Sequence, residues 1–196
     1  SVTPGTIDVT EGALGNSYNV VLTTMPSGNV TITLSSANQV SLSVNSLVFT
    51  PVNWDTDQTV TVTAVDDDFA EGNHNSAVSH TVTSPDGDYE GLGVSDVIVN
   101  ISDNETAGVN LSSTTVTIGE DGTMDTYVIT LTSEPTATVT INISPDGEST
   151  VTPTTVIFTA VDWAIPQTVT VAAVNDDLVE GPHNSTINHS ATSADS

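Results

Sequence analysis

Lysine and arginine are absent from all 196 residues while aspartate and glutamate number 25, giving a formal charge of -25 and a pI of about 4.1. No side chain carries a permanent positive charge. Nucleic acid and anionic membrane surfaces are thereby excluded as partners on Coulomb grounds, as are phosphate sites built on a Lys or Arg clamp. Cysteine is also absent, which removes disulfide frameworks and thiolate metal sites. No apolar run approaches the roughly 18 residues of a membrane span, and nothing resembles a leader, so the chain reads as a mature segment that does not insert in a membrane. Without Lys or Arg there is no trypsin-type cleavage point, which suits life among extracellular proteases.

High charge of one sign invites a reading of disorder. The apolar residues argue otherwise. They make up 36% of the chain and fall in alternating runs: NVTITLS (29–35), QTVTVTAV (58–65), DVIVNIS (96–102) and TVTVAAV (168–174). Thr between Val and Ile at period two is the pattern of half-buried strands.

Displacing the sequence by 109 residues aligns it with itself without a gap, with 32 of 87 pairs identical. Glu11 falls on Glu120, Tyr18 on Tyr127, Phe49 on Phe158, Trp54 on Trp163, Glu71 on Glu180 and His74 on His183. A unit of this length is a domain rather than a solenoid turn. Each copy shows about seven strand signals, in the first near 5–10, 17–24, 29–35, 40–50 (two short strands), 58–66, 75–84 and 93–102. The fold class expected is all-β, two tandem immunoglobulin-like β-sandwiches over 1–107 and 108–196, the second lacking its final strand. An open sandwich edge invites a strand from another molecule.

The stretch VDDDFAEGNHN (65–75) recurs as VNDDLVEGPHN (174–184). Two carboxylates about 5 Å apart repel by roughly 3 kcal/mol at an effective dielectric near 20. Converging acids therefore need separation, protonation or a cation. A solvated turn answers the problem if the side chains diverge. A cation answers it if Glu11, after the first strand, and SDNE (102–105), after the last, meet the cluster at one end of the sandwich. With oxygen donors only, the ion that fits is Ca²⁺; Mg²⁺ demands a tighter octahedron.

VTEG (9–12), VDDDFAEG (65–72) and ISDNETAG (101–108) together resemble the Calx-β family, the calcium-binding domains of sodium/calcium exchangers that also form arrays in bacterial surface proteins. The likeness spans both repeats. It implies a calcium site from Glu11, Asp66, Asp67, the carbonyl of Phe69, Glu71, Asp103, Asn104 and Glu105 in the first repeat. In the second it implies Glu120, Asn175, Asp176, the carbonyl of Leu178 and Glu180, with Asp68 and Asp177 in supporting positions. His74 and His183 stand where the exchanger domains have a further acid, and no aspartate occurs around Ser41, so one or two ions per complete unit are expected.

His74 with His80, and His183 with His189, lie six residues apart along a strand, about 20 Å, too far to share a zinc ion. They read as hydrogen-bonded structural histidines. Trp54 and Trp163 offer either a sugar-binding face or a core plug; a single large ring per domain goes to the core. No G-x-S-x-G elbow, phosphate loop or separate acid–base pair supports an enzyme. The expectation is an extracellular or cell-surface calcium-binding rod or spacer of an adhesin or surface-layer protein, with calcium stiffening the joint between repeats. Its partners would be neighbouring repeats or like subunits, with surface glycans a weaker choice. The competing expectation is a filament or sheath subunit assembled by strand donation into the incomplete repeat.

Overall fold

The computed structural model describes residues 1–176, 178–179 and 181–195. Among them there is no helix, and so none long and apolar enough to cross a membrane. The chain divides into two compact units: Ser1–Asp67 with Glu71–Asn104, and Asp68–Ala70 with Glu105–Ser196.

The first unit is built from β1 (Val2–Thr3), β2 (Thr6–Thr10), β3 (Asn16–Val20), β4 (Val30–Ser36), β5 (Val40–Leu42), β6 (Ser46–Phe49), β7 (Gln58–Ala64), β8 (His74–Thr83) and β9 (Val97–Ser102). They form a four-stranded sheet β1-β3-β7-β5 and a five-stranded sheet β2-β9-β8-β4-β6. Alternation in sequence becomes alternation of burial: Ile7 and Val9 of β2, Tyr18 and Val20 of β3, Val60 and Val62 of β7, and Val97, Val99 and Ile101 of β9 all enter one core. Inward faces from both sheets meet there, which makes the unit a β-sandwich. The expected first strand, near 5–10, is β2, and the short β1 before it was not expected. The chain crosses at Pro4 and Gly5 from β1 in one sheet to β2 in the other, because a proline cannot donate to a ladder. β2 then runs parallel to β9, Thr6 beside Ile98 through Thr10 beside Ser102; every other pairing is antiparallel.

The second unit repeats the plan with β10 (Val109–Leu111), β11 (Met124–Leu131), β12 (Val139–Pro145), β13 (Ser149–Thr152), β14 (Thr155–Phe158), β15 (Gln167–Ala173) and β16 (Ile187–Ser193). Its sheets are β10-β11-β15-β13 and β14-β12-β16, closing on Tyr127, Ile129, Ile141, Phe158, Val169 and Val171. The 109-residue offset carries the counterpart of β9 beyond residue 196. The repeat extends to polar detail. Thr50 N–H donates to Asn53 Oδ1 at 2.6 Å and Thr159 N–H to Asp162 Oδ1 at 2.6 Å, so the same side-chain-capped turn closes both copies. Trp54 and Trp163 are half-buried and pack against the edge of their cores.

His80 is buried in the first core, and His189 stands partly buried at the matching place in the second. Tyr18 Oη lies 3.1 Å from His80 Nε2, and Tyr127 Oη 2.7 Å from His189 Nε2, each pair meeting edge to face. Burial pushes the Tyr18 phenol up to about 12 and holds the His80 imidazole below its usual 6.5. A histidine kept neutral by the fold binds fewer protons than it does in the unfolded chain, so its contribution is complete above pH about 6.5 and is lost as pH falls below that. Denaturant unfolding at pH 7 and pH 5 is expected to show a loss of stability in the native chain that is smaller in His80→Gln; equal pH slopes would exclude this role.

Close approach of backbones sets a second constraint. A Cβ on Gly15, just before β3, would sit 2.4 Å from the carbonyl oxygen of Val62 in β7. Gly15→Ala should therefore push the two strands apart and cost about 1–3 kcal/mol, read by urea unfolding of the first unit; unchanged stability would refute the close approach.

Candidate metal centre

The strand registers of the first unit decide which acids meet. In β2 the inward positions are Ile7 and Val9, and Glu11 continues the same alternation one step past the strand end. It therefore points inward, and is only 4% exposed. In β9 the inward positions are Val97, Val99 and Ile101, and Asp103 continues that phase. Because β2 and β9 are parallel with Thr10 beside Ser102, the next residues emerge together, and Glu11 N–H donates to Ser102 O at 3.1 Å. Carboxylate oxygens of Glu11 and Asp103 lie within 4.8 Å of each other.

β8 completes the wall. Its antiparallel pairing sets His74 opposite Ile101, so the residues before His74 reach past the end of β9. Gly72 N–H donates to Asp103 Oδ2, and Asp103 N–H donates to Asn73 Oδ1 at 3.2 Å. Gly72 has φ +71°, a left-handed backbone that a side chain would strain, and this turn brings Glu71 back over the strand ends. Ligand atoms of Glu11, Glu71 and His74 lie within 4.8 Å of one another. Gln39 Nε2 donates to both Glu71 oxygens, at 3.2 and 3.1 Å. His74 Nδ1 faces Gly72 O at 2.9 Å, which fixes the proton there, while Nε2 lies 3.7 Å from Glu71 Oε2.

Asp66 stands two residues past β7. Its Oδ1 accepts from Asn104 Nδ2 at 3.3 Å and lies 3.3 Å from the Cβ position of Gly12, whose φ is +67°. Of the residues expected in the first site, Glu11, Asp66, Asp67, Glu71, Asp103 and Asn104 belong to the first unit, while Asp68, Phe69 and Glu105 group with the second. Asp66 and Asp68 are exposed and Asp67 half-buried. The two groupings of close ligand atoms run through Glu11, with Asp103 in one and Glu71 in the other; the D-D-D run enters neither. His74 and Gln39 were not expected as site residues. His74 was legible as the repeated histidine three places after Glu71, whereas Gln39 carries no sequence signal because only the fold brings it near.

The second unit is different. Glu120 and Asp176 are exposed, as are Asn175 and Leu178. Leu178 N–H donates to Asp176 Oδ1 at 2.7 Å, so Asp176 closes its own turn. Asp177 and Glu180 lie outside the described residues. Among the described residues no three acidic or imidazole groups of this unit converge. Asp66 is replaced by Asn175 and Gln39 by Glu148, whose Oε2 lies 3.8 Å from His183 Nε2. Glu120 holds the phase of Val116 and Ile118, as Glu11 does of Ile7 and Val9, but Thr115–Gly119 has no ladder partner and the carboxylate faces water.

Chemically, the first site gathers two carboxylates, Glu71 and Asp103, around the buried Glu11, with an amide and backbone carbonyls nearby. The donor set is oxygen with one imidazole at its margin. It suits a hard divalent cation, and the absence of Lys and Arg means that no protein cation competes for the place.

No family model matches this chain, and no curated protein matches it. Among solved structures it is similar to CBD12 from CALX1.2, with TM-score 0.43 and 16% identity over 96% of this chain and 78% of that one. It is similar to the calcium binding domain CBD12 of CALX1.1, with TM-score 0.41 and 16% identity over 86% of this chain and 73% of that one. The E. coli chaperone DraB gives TM-score 0.39 and 8% identity over 86% and 84%. Scores and identities are all low, so what this chain does has to be read from its own side chains.

Glu11→Gln removes a buried negative charge beside two others. In metal-free buffer the variant is expected to melt at the same or a higher temperature than the native chain. A lower melting temperature would mean that protein donors, and not an added cation, satisfy the carboxylate.

Proposed function

We propose that this chain is a non-catalytic, calcium-binding tandem-repeat segment of an extracellular adhesin or surface-layer protein, in which the ion stiffens the place where the chain leaves the first sandwich. The observation that carries the reading is Glu11, a carboxylate 4% exposed, facing Asp103 and Glu71 in a polypeptide with no fixed positive charge. Glu11, Glu71 and Asp103 would supply the charged oxygens. Asp66 and Asn104, tied to each other, would close the site from the β7 side.

Asp103 and Asn104 are the last residues of the first unit. An ion held by Asp103 therefore fixes the exit of the chain to the end of β2 and to the turn before β8. Removing the ion leaves acids that repel one another at that exit, and the repeats become a hinged string. Calcium makes them a rod. A spacer of this kind needs charge, length and stiffness, and it needs no reacting groups.

His74 supports a second occupant, because Nε2 is buried without a hydrogen-bond partner at a point where Glu11 and Glu71 converge. A softer ion such as Zn²⁺ accepts two carboxylates and an imidazole.

Calorimetric titration of the metal-free chain with Ca²⁺ and with Zn²⁺, followed by thermal melting, decides between them. Calcium at a hundredfold over its dissociation constant should stabilise the first unit by about 2.7 kcal/mol, and Glu11→Gln should abolish most of that gain. Small-angle scattering should show a longer, narrower distribution of distances with calcium than with chelator. Identical scattering in the two conditions would eliminate the stiffening role, and absence of calcium heat would eliminate the site.

A further inference from the structure

Glu11 and Asp103 each continue the inward phase of a strand, so the β2–β9 ladder aims them. Glu71 has no such support. It lies three residues ahead of β8, on the far side of Gly72, and its side chain is 37% exposed. A glutamate so placed has open water to turn to, and the charge of Glu11 pushes it there. Its ligand atom nevertheless stays within 4.8 Å of those of Glu11 and His74.

An amide holds it. Gln39 Nε2 donates to both Glu71 oxygens, at 3.2 and 3.1 Å. The backbone of Gln39 is itself fixed, because Val65 N–H donates to its carbonyl at 3.0 Å, one step beyond the Val40–Ala64 pair of β5 and β7. β5 and β7 belong to one sheet and β8 to the other, so the Gln39–Glu71 bond reaches across the end of the sandwich. On the opposite side Gly72 N–H donates to Asp103 Oδ2. Glu71 is gripped twice, its backbone neighbour by the end of β9 and its carboxylate by Gln39.

The chemistry of the grip matters. A lysine or arginine would hold the carboxylate as well, but it would cancel the charge and take the place of a cation. An amide donates hydrogens and carries no charge. A carboxylate has about four lone-pair sites, and Gln39 occupies one on each oxygen, so each oxygen keeps one for an ion. Carboxylates that bind metals are commonly oriented by such hydrogen bonds. In the second repeat the matching residue is Glu148, which has no side-chain hydrogen to give when ionised; its Oε2 lies 3.8 Å from His183 Nε2 instead.

We propose that Gln39 is a positioning residue of the first metal centre. It does not touch the ion; it sets the calcium affinity by holding Glu71 beside Glu11 with the carboxylate charge intact. The inference rests on the calcium reading given above and adds the residue that delivers Glu71 to the site.

The test is calorimetric titration of Ca²⁺ into the metal-free 196-residue chain, following the binding that Glu11→Gln removes. Gln39→Met keeps the length of the side chain and takes away its N–H groups, and it should weaken that binding by about tenfold or more. In a chain that already carries Glu71→Gln, the same Gln39→Met change should alter affinity by less than about twofold, because the carboxylate it positions is gone. Equal affinity in the native and Gln39→Met chains would overturn the proposal. So would a loss that persists undiminished in the Glu71→Gln background, since Gln39 would then support the fold and not Glu71. A native chain that gives no calcium heat would remove the metal reading itself, and this inference with it.

Discussion

Mutual repulsion among inward-facing carboxylates is the interaction on which the rest of this molecule turns. Glu11 lies close to Glu71 and to Asp103, and the chain has no Lys or Arg to set among them. At a separation of about 5 Å two carboxylates repel by roughly 3 kcal/mol at an effective dielectric near 20, before solvent screening. A domain of about 100 residues has total stability on the order of 5–15 kcal/mol, so a cost of this size is not incidental. It is concentrated at one end of the sandwich. Many of the other described acids lie on turns and exposed faces where water screens them, and several cap backbone N–H groups. Asp86 accepts from Ser27 and Asp88, and Asp146 from Ser185 and Thr186; these bonds hold both carboxyls below the usual carboxylate range.

The parallel pair of β2 and β9 generates the crowding of acids in the first unit. A parallel ladder delivers two strand ends to the same place, which is why an acid one step beyond each strand finds the other. An antiparallel pair would have sent Glu11 and Asp103 to opposite ends of the sheet. Glu11 and Glu120 are identical residues in matched positions, the first buried behind β2 and the second exposed behind residues 115–119, which form no ladder.

Inside each sandwich the buried polar groups are few. The Tyr18–His80 and Tyr127–His189 pairs bridge the two sheets, since each tyrosine lies in one sheet and its histidine in the other. A buried hydroxyl and a buried imidazole satisfy each other, and the ring edges pack without a charge. Neutral bridges of this kind suit a chain that has no cation to form a buried ion pair.

Most strands and the internal repeat were legible in the amino-acid order, although β1 was not expected and residues 115–119 of the second copy form no strand. Period two and a 109-residue offset are local or self-referential signals that need no knowledge of distant contacts. The identity of the crowded acids was decided only by the tertiary structure. The D-D-D run, the strongest sequence feature, supplies the exposed Asp66 and half-buried Asp67 but no member of the close ligand groups. His74, read as a bystander, enters one of them. Which side chains converge depends on strand direction and register, and these are settled by pairings between residues some ninety positions apart, such as Thr10 with Ser102. No spacing rule along the chain encodes that, because the same composition with β2 antiparallel to β9 would have carried an identical pattern and built no site.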